Sequence, residues 1–281
     1  MSDRTEPAGA AKSDKALASR RIVVAAIIGL LAGFLAGMFG VGGGIIIVPA
    51  LVLVLGVKQR LAHGTSLAAI IPIAVVGVVG YAAAGSVDWV AAVILAAGSA
   101  LGAIAGTHGL QRLPQRALRL AFSVFLIANA ISLFLTLGSS GPQKGLSVAT
   151  GLGLLLIGLV AGTIAGLLGV GGGVVVVPAL ILLISMGVAK AKGTSLAVIV
   201  PTAVVGTLRN LRAGNVDLVL AAVVGITGMA STYVGTKLAM EMSPRLSKTL
   251  FACLLIAIVA ISFVGARSSK DVVSEVGPTA S

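Results

Sequence analysis

Residues 39–51 read FGVGGGIIIVPAL, and residues 168–180 read LGVGGGVVVVPAL. The two phrases stand 129 positions apart, and at that offset the correspondence runs outward without a gap. Gly29, Gly33 and Gly37 fall on Gly158, Gly162 and Gly166, and Pro49 falls on Pro178. Gly64-Thr65-Ser66-Leu67 falls on Gly193-Thr194-Ser195-Leu196, Pro72 on Pro201, Gly77 on Gly206, Asp88 on Asp217 and Arg116 on Arg245. One half of the chain is a copy of the other, so the fold is built from two repeats.

Composition places those repeats in a bilayer. Of 281 residues, 58% are hydrophobic and 10% charged, and the mean hydropathy is +1.14. A soluble domain carries far more surface charge. Apolar stretches recur at 22–39, 45–57, 64–85, 89–110, 117–137, 146–168, 174–188, 193–208, 216–240 and 246–265. Several reach the roughly 18–20 residues that take an α-helix across a bilayer core, whereas 45–57 and 174–188 are shorter. The expected fold is an all-α polytopic membrane protein of 8–10 transmembrane segments. Repeat 1 covers 22–138, a linker loop 139–145 and repeat 2 146–265, with disordered cytoplasmic tails at 1–19 and 266–281. The first apolar run follows Arg20 and Arg21 but is too long for a signal h-region, and it reads as a retained helix.

The net charge of +12 would suggest nucleic acid in a soluble protein. Here the basic residues sit between spans, aromatics are 4% and no nucleic-acid motif occurs, so the partner expected is the lipid bilayer and not nucleic acid. The single Cys253 excludes an intrachain disulfide and a cysteine-based metal cluster, and no cofactor is expected.

Each half holds five apolar segments, the second of them short. If the short segment crosses, the half has an odd number of spans and the second half enters the membrane upside down, as an inverted-topology repeat. If it is re-entrant, the halves run parallel. Loop charge favours the inverted arrangement with both termini cytoplasmic: Arg20, Arg21, Lys58, Arg60, Arg112, Arg116, Arg119, Arg209, Arg212, Arg267 and Lys270 fall inside. Lys144, Lys190, Lys192, Lys237, Arg245 and Lys248 fall outside.

The glycine phrases fail both nucleotide patterns. A dinucleotide fingerprint needs glycine where Ile45 stands, and a phosphate loop needs Lys followed by Ser or Thr. What the glycines can do is break a helix within the membrane, leaving unpaired N–H groups and a positive dipole end facing a cavity. Glycine-broken segments at matching positions of two halves point to a transporter's binding site. The alternative is helix packing, which is the reading adopted for the spaced Gly29, Gly33 and Gly37. A second paired motif, GTSLAAIIP at 64–72 and GTSLAVIVP at 193–201, opens an apolar helix with two hydroxyls. Those hydroxyls could cap free N–H groups or donate to an anion. Pro72 and Pro201 free a backbone carbonyl within a span. Asp88 and Asp217 read as helix caps rather than proton carriers. His108 and Lys237 read as interfacial residues, and Arg209 and Arg212 as orientation signals rather than substrate attractors.

The duplicated GxGGG-x4-P-x-L and GTSL phrases resemble those of the sulfite exporter TauE/SafE family of membrane permeases, over about residues 22–265. The resemblance implies a multi-pass inner-membrane carrier, often of sulfur-containing anions such as sulfite, sulfonates or related organic acids. Carried over by position, the implied substrate-binding residues are Gly42, Gly43, Gly44, Pro49, Thr65 and Ser66 with Gly171, Gly172, Gly173, Pro178, Thr194 and Ser195. An enzyme is not expected: the only histidines are His63 and His108, and no HExxH or carboxylate pair occurs. An anion channel is the nearer rival.

Overall fold

A computed structural model of the chain describes residues 8–114, 117, 120, 124, 127, 131, 147–247, 249–254, 256 and 257, with side-chain surroundings from residue 19 onward. The linker 139–145, the tail 266–281, most of the apolar segment 117–137 and half of the segment 246–265 lie outside the described residues. The first half contributes α1 (Ala8–Phe39), α2 (Gly44–Leu53), α3 (Gln59–Ala83) and α4 (Trp89–Arg112). The second contributes α5 (Val148–Leu168), α6 (Gly173–Ile184), α7 (Val188–Arg212) and α8 (Leu218–Glu241). Six of these helices are long and apolar enough to span a bilayer. Rows of exposed aliphatic residues, such as Ile22, Val23, Ile27, Leu30 and Leu31 on α1, suit a hydrocarbon solvent rather than water.

Two boundaries differ from the sequence reading. The start of the chain was expected to be disordered to residue 19, but α1 is helical from Ala8. Nothing between Ala8 and Phe39 breaks a helix, and the alanines there favour one. The GTSL motifs were expected to open their helices. Instead α3 begins at Gln59 and α7 at Val188, so Thr65, Ser66, Thr194 and Ser195 lie more than a turn inside. Hydropathy marks where a helix meets lipid, not where helical hydrogen bonding begins. The aspartates are caps as expected: the Asp88 carboxylate accepts from Ala91 N–H at 3.1 Å and that of Asp217 from Leu220 N–H at 3.0 Å.

Contact registers fix the helix directions. Gly29, Gly33 and Gly37 of α1 lie against Val224, Gly228 and Thr232 of α8, in ascending order on both helices, so the two run parallel. Gly225, Gly228 and Thr232 of α8 meet Pro72, Ile73 and Gly77 of α3, again parallel. The second half repeats this: Gly158, Gly162 and Gly166 of α5 lie against Leu95, Ser99 and Ala103 of α4. Hydrogen bonds from Ser99 to Thr202 (2.7 Å) and from Arg209 to Thr107 (3.0 Å) make α4 and α7 parallel. The two groups meet along α3 and α7, where Leu67 faces Gly206 and Gly77 faces Leu196, so this central pair is antiparallel. Each of the three long helices of the first half therefore opposes its counterpart in the second, an arrangement compatible with inverted repeats. The glycine stripes allow the close backbone approach that drives association where lipid supplies no hydrophobic force.

Because α1 and α3 run the same way, residues 40–58 carry the chain back between them. At 10 and 12 residues, α2 and α6 are too short to do this as full spans. At 1.5 Å per residue they cover about 15 and 18 Å of a core about 30 Å thick. The remaining depth is covered by the glycine loop, which doubles back along the preceding helix. A side chain on Gly43 would meet the Ala32 carbonyl, and one on Gly172 the Ala161 carbonyl.

Candidate functional site

Each glycine loop is held in backbone conformations that other residues adopt poorly. Gly40, Gly42 and Gly43 have φ of 73, 75 and 81°, and Gly169, Gly171 and Gly172 repeat this at 68, 86 and 78°. The loop ends at the first residue of the half-helix. Gly43 and Gly172 are N-caps and, as glycines, supply no side-chain cap to the helix start. In each, backbone pairing begins with the third and fourth residues after the cap, Ile46 and Ile47 bonding to Gly43 carbonyl and Val175 and Val176 to Gly172 carbonyl. A helix beginning in this way has its first amides directed outward from the turn, with the positive end of its dipole behind them.

The two loops meet. A side chain on Gly44 would strike the Gly169 carbonyl and Val170 backbone, and one on Gly173 the Gly40 carbonyl and Ser195 Oγ. The hydroxyls of the GTSL motifs tie the loops across the interface between halves. Ser66 Oγ–H donates to the Gly169 carbonyl at 2.8 Å, and Ser195 Oγ–H to the Gly40 carbonyl at 2.9 Å. Thr65 and Thr194 accept across the same interface: Asp217 N–H donates to Thr65 Oγ1 and Asp88 N–H to Thr194 Oγ1, both at 2.9 Å, and Thr194 Oγ1–H donates in turn to Met186 Sδ at 3.8 Å. All four hydroxyl residues are fully buried. Each of the four hydroxyls bonds the backbone of the other half, which is cross-linking rather than the capping that the sequence also allows.

Between the loops stand Ile70 and Ile199, repeat partners from the central antiparallel pair. A Cβ on Gly42 would lie 3.1 Å from Ile70 and 3.2 Å from Ile199, and a Cβ on Gly171 would lie 3.2 Å from Ile199 and 3.6 Å from Ile70. Both isoleucines are fully buried. The register of α3 against α7 also puts Pro72 and Pro201 at about the same depth, beside this point. The structure therefore brings together Gly42, Gly44, Ser66 and their partners Gly171, Gly173, Ser195. Gly43 and Gly172 turn away toward α1 and α5. Pro49 and Pro178 sit in the second turn of the half-helices, each lacking the N–H that would bond the carbonyl of Ile45 or Val174.

Sequence reasoning missed two kinds of residue. Ile70 and Ile199 look like any other apolar position, and only the crossing of α3 and α7 brings them to the glycines. The sequence places Lys192 among the loop charges, but it lies in α7, 3% exposed, with Nζ donating to Ser247 Oγ at 2.6 Å. Its repeat partner His63 is buried at the equivalent place, with Nδ1–H donating to Leu167 carbonyl at 2.9 Å and Nε2 accepting from Gln59 at 3.0 Å. The signal available was positional: HGTSL and KGTSL occupy matching registers. His108 and Lys237 are exposed, and Lys237 Nζ lies 4.8 Å from the centre of the Tyr233 ring.

The family profile described as sulfite exporter TauE/SafE matches residues 25–263. The chain is 26% identical over 264 residues to the probable membrane transporter protein YunE of Bacillus subtilis (strain 168), covering 85% of this chain and 95% of that one. It is 30% identical over 237 residues to a probable membrane transporter protein of Xylella fastidiosa (strain 9a5c), covering 82% and 90%. To the probable membrane transporter protein MJ0441 of Methanocaldococcus jannaschii it is 27% identical over 247 residues, covering 82% and 90%. No solved structure matches the chain.

Proposed function

This chain belongs to the sulfite exporter TauE/SafE family of multi-pass membrane transporters, and from that premise we propose that it is a carrier of a small anion across the cytoplasmic membrane. The observation that supports this most directly is the meeting of two glycine loops, one from each half, at the uncapped N-terminal ends of α2 and α6. A helix N-terminus carries about half an elementary charge, so two that converge supply roughly one positive charge. That favours an anion of low charge, bound by backbone amides of residues 42–45 and 171–174 rather than by a buried salt bridge. Sulfite, present partly as its monovalent acid form, and sulfonates suit such a site; the family description is the reason for preferring sulfur oxyanions over carboxylates. The substrate crosses unchanged, so the protein is not an enzyme.

In this reading, Ser66 and Ser195 have two states. With the loops tied together as here, their hydroxyls satisfy the carbonyls of Gly169 and Gly40. When one half rocks against the other, Ile70 and Ile199 withdraw and the anion occupies the space between the loops, with the hydroxyls free to donate to it. Motion of one inverted repeat against the other around a fixed site is the usual form of alternating access.

The test is flux in proteoliposomes. Labelled sulfite, methanesulfonate, acetate and phosphate are supplied with and without a proton gradient. Saturable uptake with counterflow of sulfite or the sulfonate is expected. Unitary currents without counterflow would assign a channel, and carboxylate transport alone would overturn the substrate class. Reporter fusions at both ends test the orientation, since both termini are expected to be cytoplasmic.

A further inference from the structure

The two halves agree closely at the loops and diverge one residue before each GTSL motif. Lys192 and His63 are both buried there, but each has a partner that its counterpart lacks. Lys192 bonds Ser247, whose aligned position is Leu118, and His63 bonds Gln59, whose aligned position is Val188. The second half therefore carries a cation and a hydroxyl together where the first has an imidazole and an aliphatic residue. Antiparallel packing of α3 and α7 puts this pair at one mouth of the site and His63 at the other.

Lys192 is rooted against the glycine loop of the first half. A side chain on Gly40 would lie 2.6 Å from Lys192 Cα, and Ser195, three residues on, holds the Gly40 carbonyl. Its side chain lines a small crevice with Phe39, Val177, Ile181, Ser247 and Phe251. Phe39 and Phe251 stack at 4.9 Å between ring centres and wall it. Within the crevice an ammonium has three N–H donors to satisfy and, among the described residues, meets one neutral hydroxyl. The ion pair at this end of α7 joins Asp88 to Lys190, at 3.5 Å. A buried cation whose hydrogen bond among the described residues goes to a neutral hydroxyl is poorly compensated by it, and a small anion would supply both charge and further acceptors.

We propose that Lys192 and Ser247 form an oxyanion subsite at one mouth of the transport path, giving the carrier a higher anion affinity on that face than on the His63 face. The subsite rests on the carrier reading above and adds sidedness to it. An anion entering from this face meets a fixed charge next to the Gly40 loop before it reaches the amides between the loops. From the other face it meets an imidazole whose two nitrogens are already engaged.

Purified full-length protein and the variants Lys192→Met, Lys192→Arg and Ser247→Ala are reconstituted in one orientation, and sulfite half-saturation is measured from each face. Sulfite protection against thermal unfolding is measured on the same proteins in detergent. Lys192→Met should raise half-saturation by about 10- to 100-fold on one face, as expected for a lost hydrogen bond to a charged group, and by less than about threefold on the other. Lys192→Arg should keep most of the affinity, and Ser247→Ala should fall between. Without sulfite, Lys192→Met should be no less thermostable than the parent, because an uncompensated buried charge is removed, while protection by sulfite is lost. Equal half-saturation in Lys192→Met and the parent on both faces would overturn the proposal. So would an equal loss on both faces, or a drop in unliganded stability with sulfite protection intact. A parent protein that neither moves nor is protected by sulfite or methanesulfonate would sink the carrier reading too, whereas parent flux unchanged by Lys192→Met sinks the subsite alone.

Discussion

Replacing Gly43 by alanine separates the two demands the loop makes on its backbone. Gly43 has φ of 81°, and its new Cβ would lie 2.9 Å from the Ala32 carbonyl oxygen. Gly56 has a similar φ of 65° with nothing within 4 Å. Left-handed backbone costs an ordinary residue about 1–2 kcal/mol, and that is the whole penalty expected for Gly56→Ala. At Gly43 an overpacking cost of about 1–3 kcal/mol is added, because the Ala32 carbonyl belongs to the backbone of α1 and cannot move without disturbing that helix. Gly43→Ala should therefore lose about 2–5 kcal/mol, a large part of the total stability of a typical fold. Gly172→Ala, with φ of 78° and the Ala161 carbonyl at 3.0 Å, should behave like it. The assay is unfolding of the purified protein in detergent micelles titrated with dodecyl sulfate, read by circular dichroism, with flux measured in parallel. Gly43→Val, which adds a branched side chain, should abolish flux while protein still reaches the membrane. Equal destabilisation by Gly43→Ala and Gly56→Ala would refute the doubling back of the loop on α1.

Three further outcomes follow from the same geometry. Ser66→Ala and Ser195→Ala each remove one bond between the halves and should each cost about 0.6–1.7 kcal/mol, the range for hydrogen bonds within membranes; unchanged unfolding in both would show that the ties carry no load. Ile70→Ala and Ile199→Ala widen the space between the loops, so flux of bulkier sulfonates should rise relative to sulfite, and an unaltered preference would remove the isoleucines from the path. Asp217→Ala deletes the cap of α8 and should cost about 0.5–2 kcal/mol, whereas Lys190→Ala, losing an ion pair whose lysine is 37% exposed, should change stability by less than about 1 kcal/mol; a larger loss from the lysine than from the aspartate would contradict that ranking.

The duplication, the bilayer as solvent and the places where helices break are all legible in the sequence, because each is written in neighbouring residues. Hydropathy depends on composition over one span, and Gly42-Gly43-Gly44 admits positive φ whatever surrounds it. Asp88 and Asp217 were legible as caps for the same reason, since a cap bonds an amide three residues away. Partners more than a hundred residues distant were not legible. That Ser66 bonds Gly169 and Ser195 bonds Gly40 depends on how α3 crosses α7, and the same crossing brings Ile70 and Ile199 onto the glycine loops. The local pattern around GTSL suggested a helix start, yet tertiary packing extended α3 back to Gln59 and α7 back to Val188. That extension turned Lys192 from an apparent loop charge into a buried one. A side chain's identity is local, but its burial depends on what the rest of the chain packs against it, and it is long-range packing that brings Phe39 and Phe251 together beside Lys192.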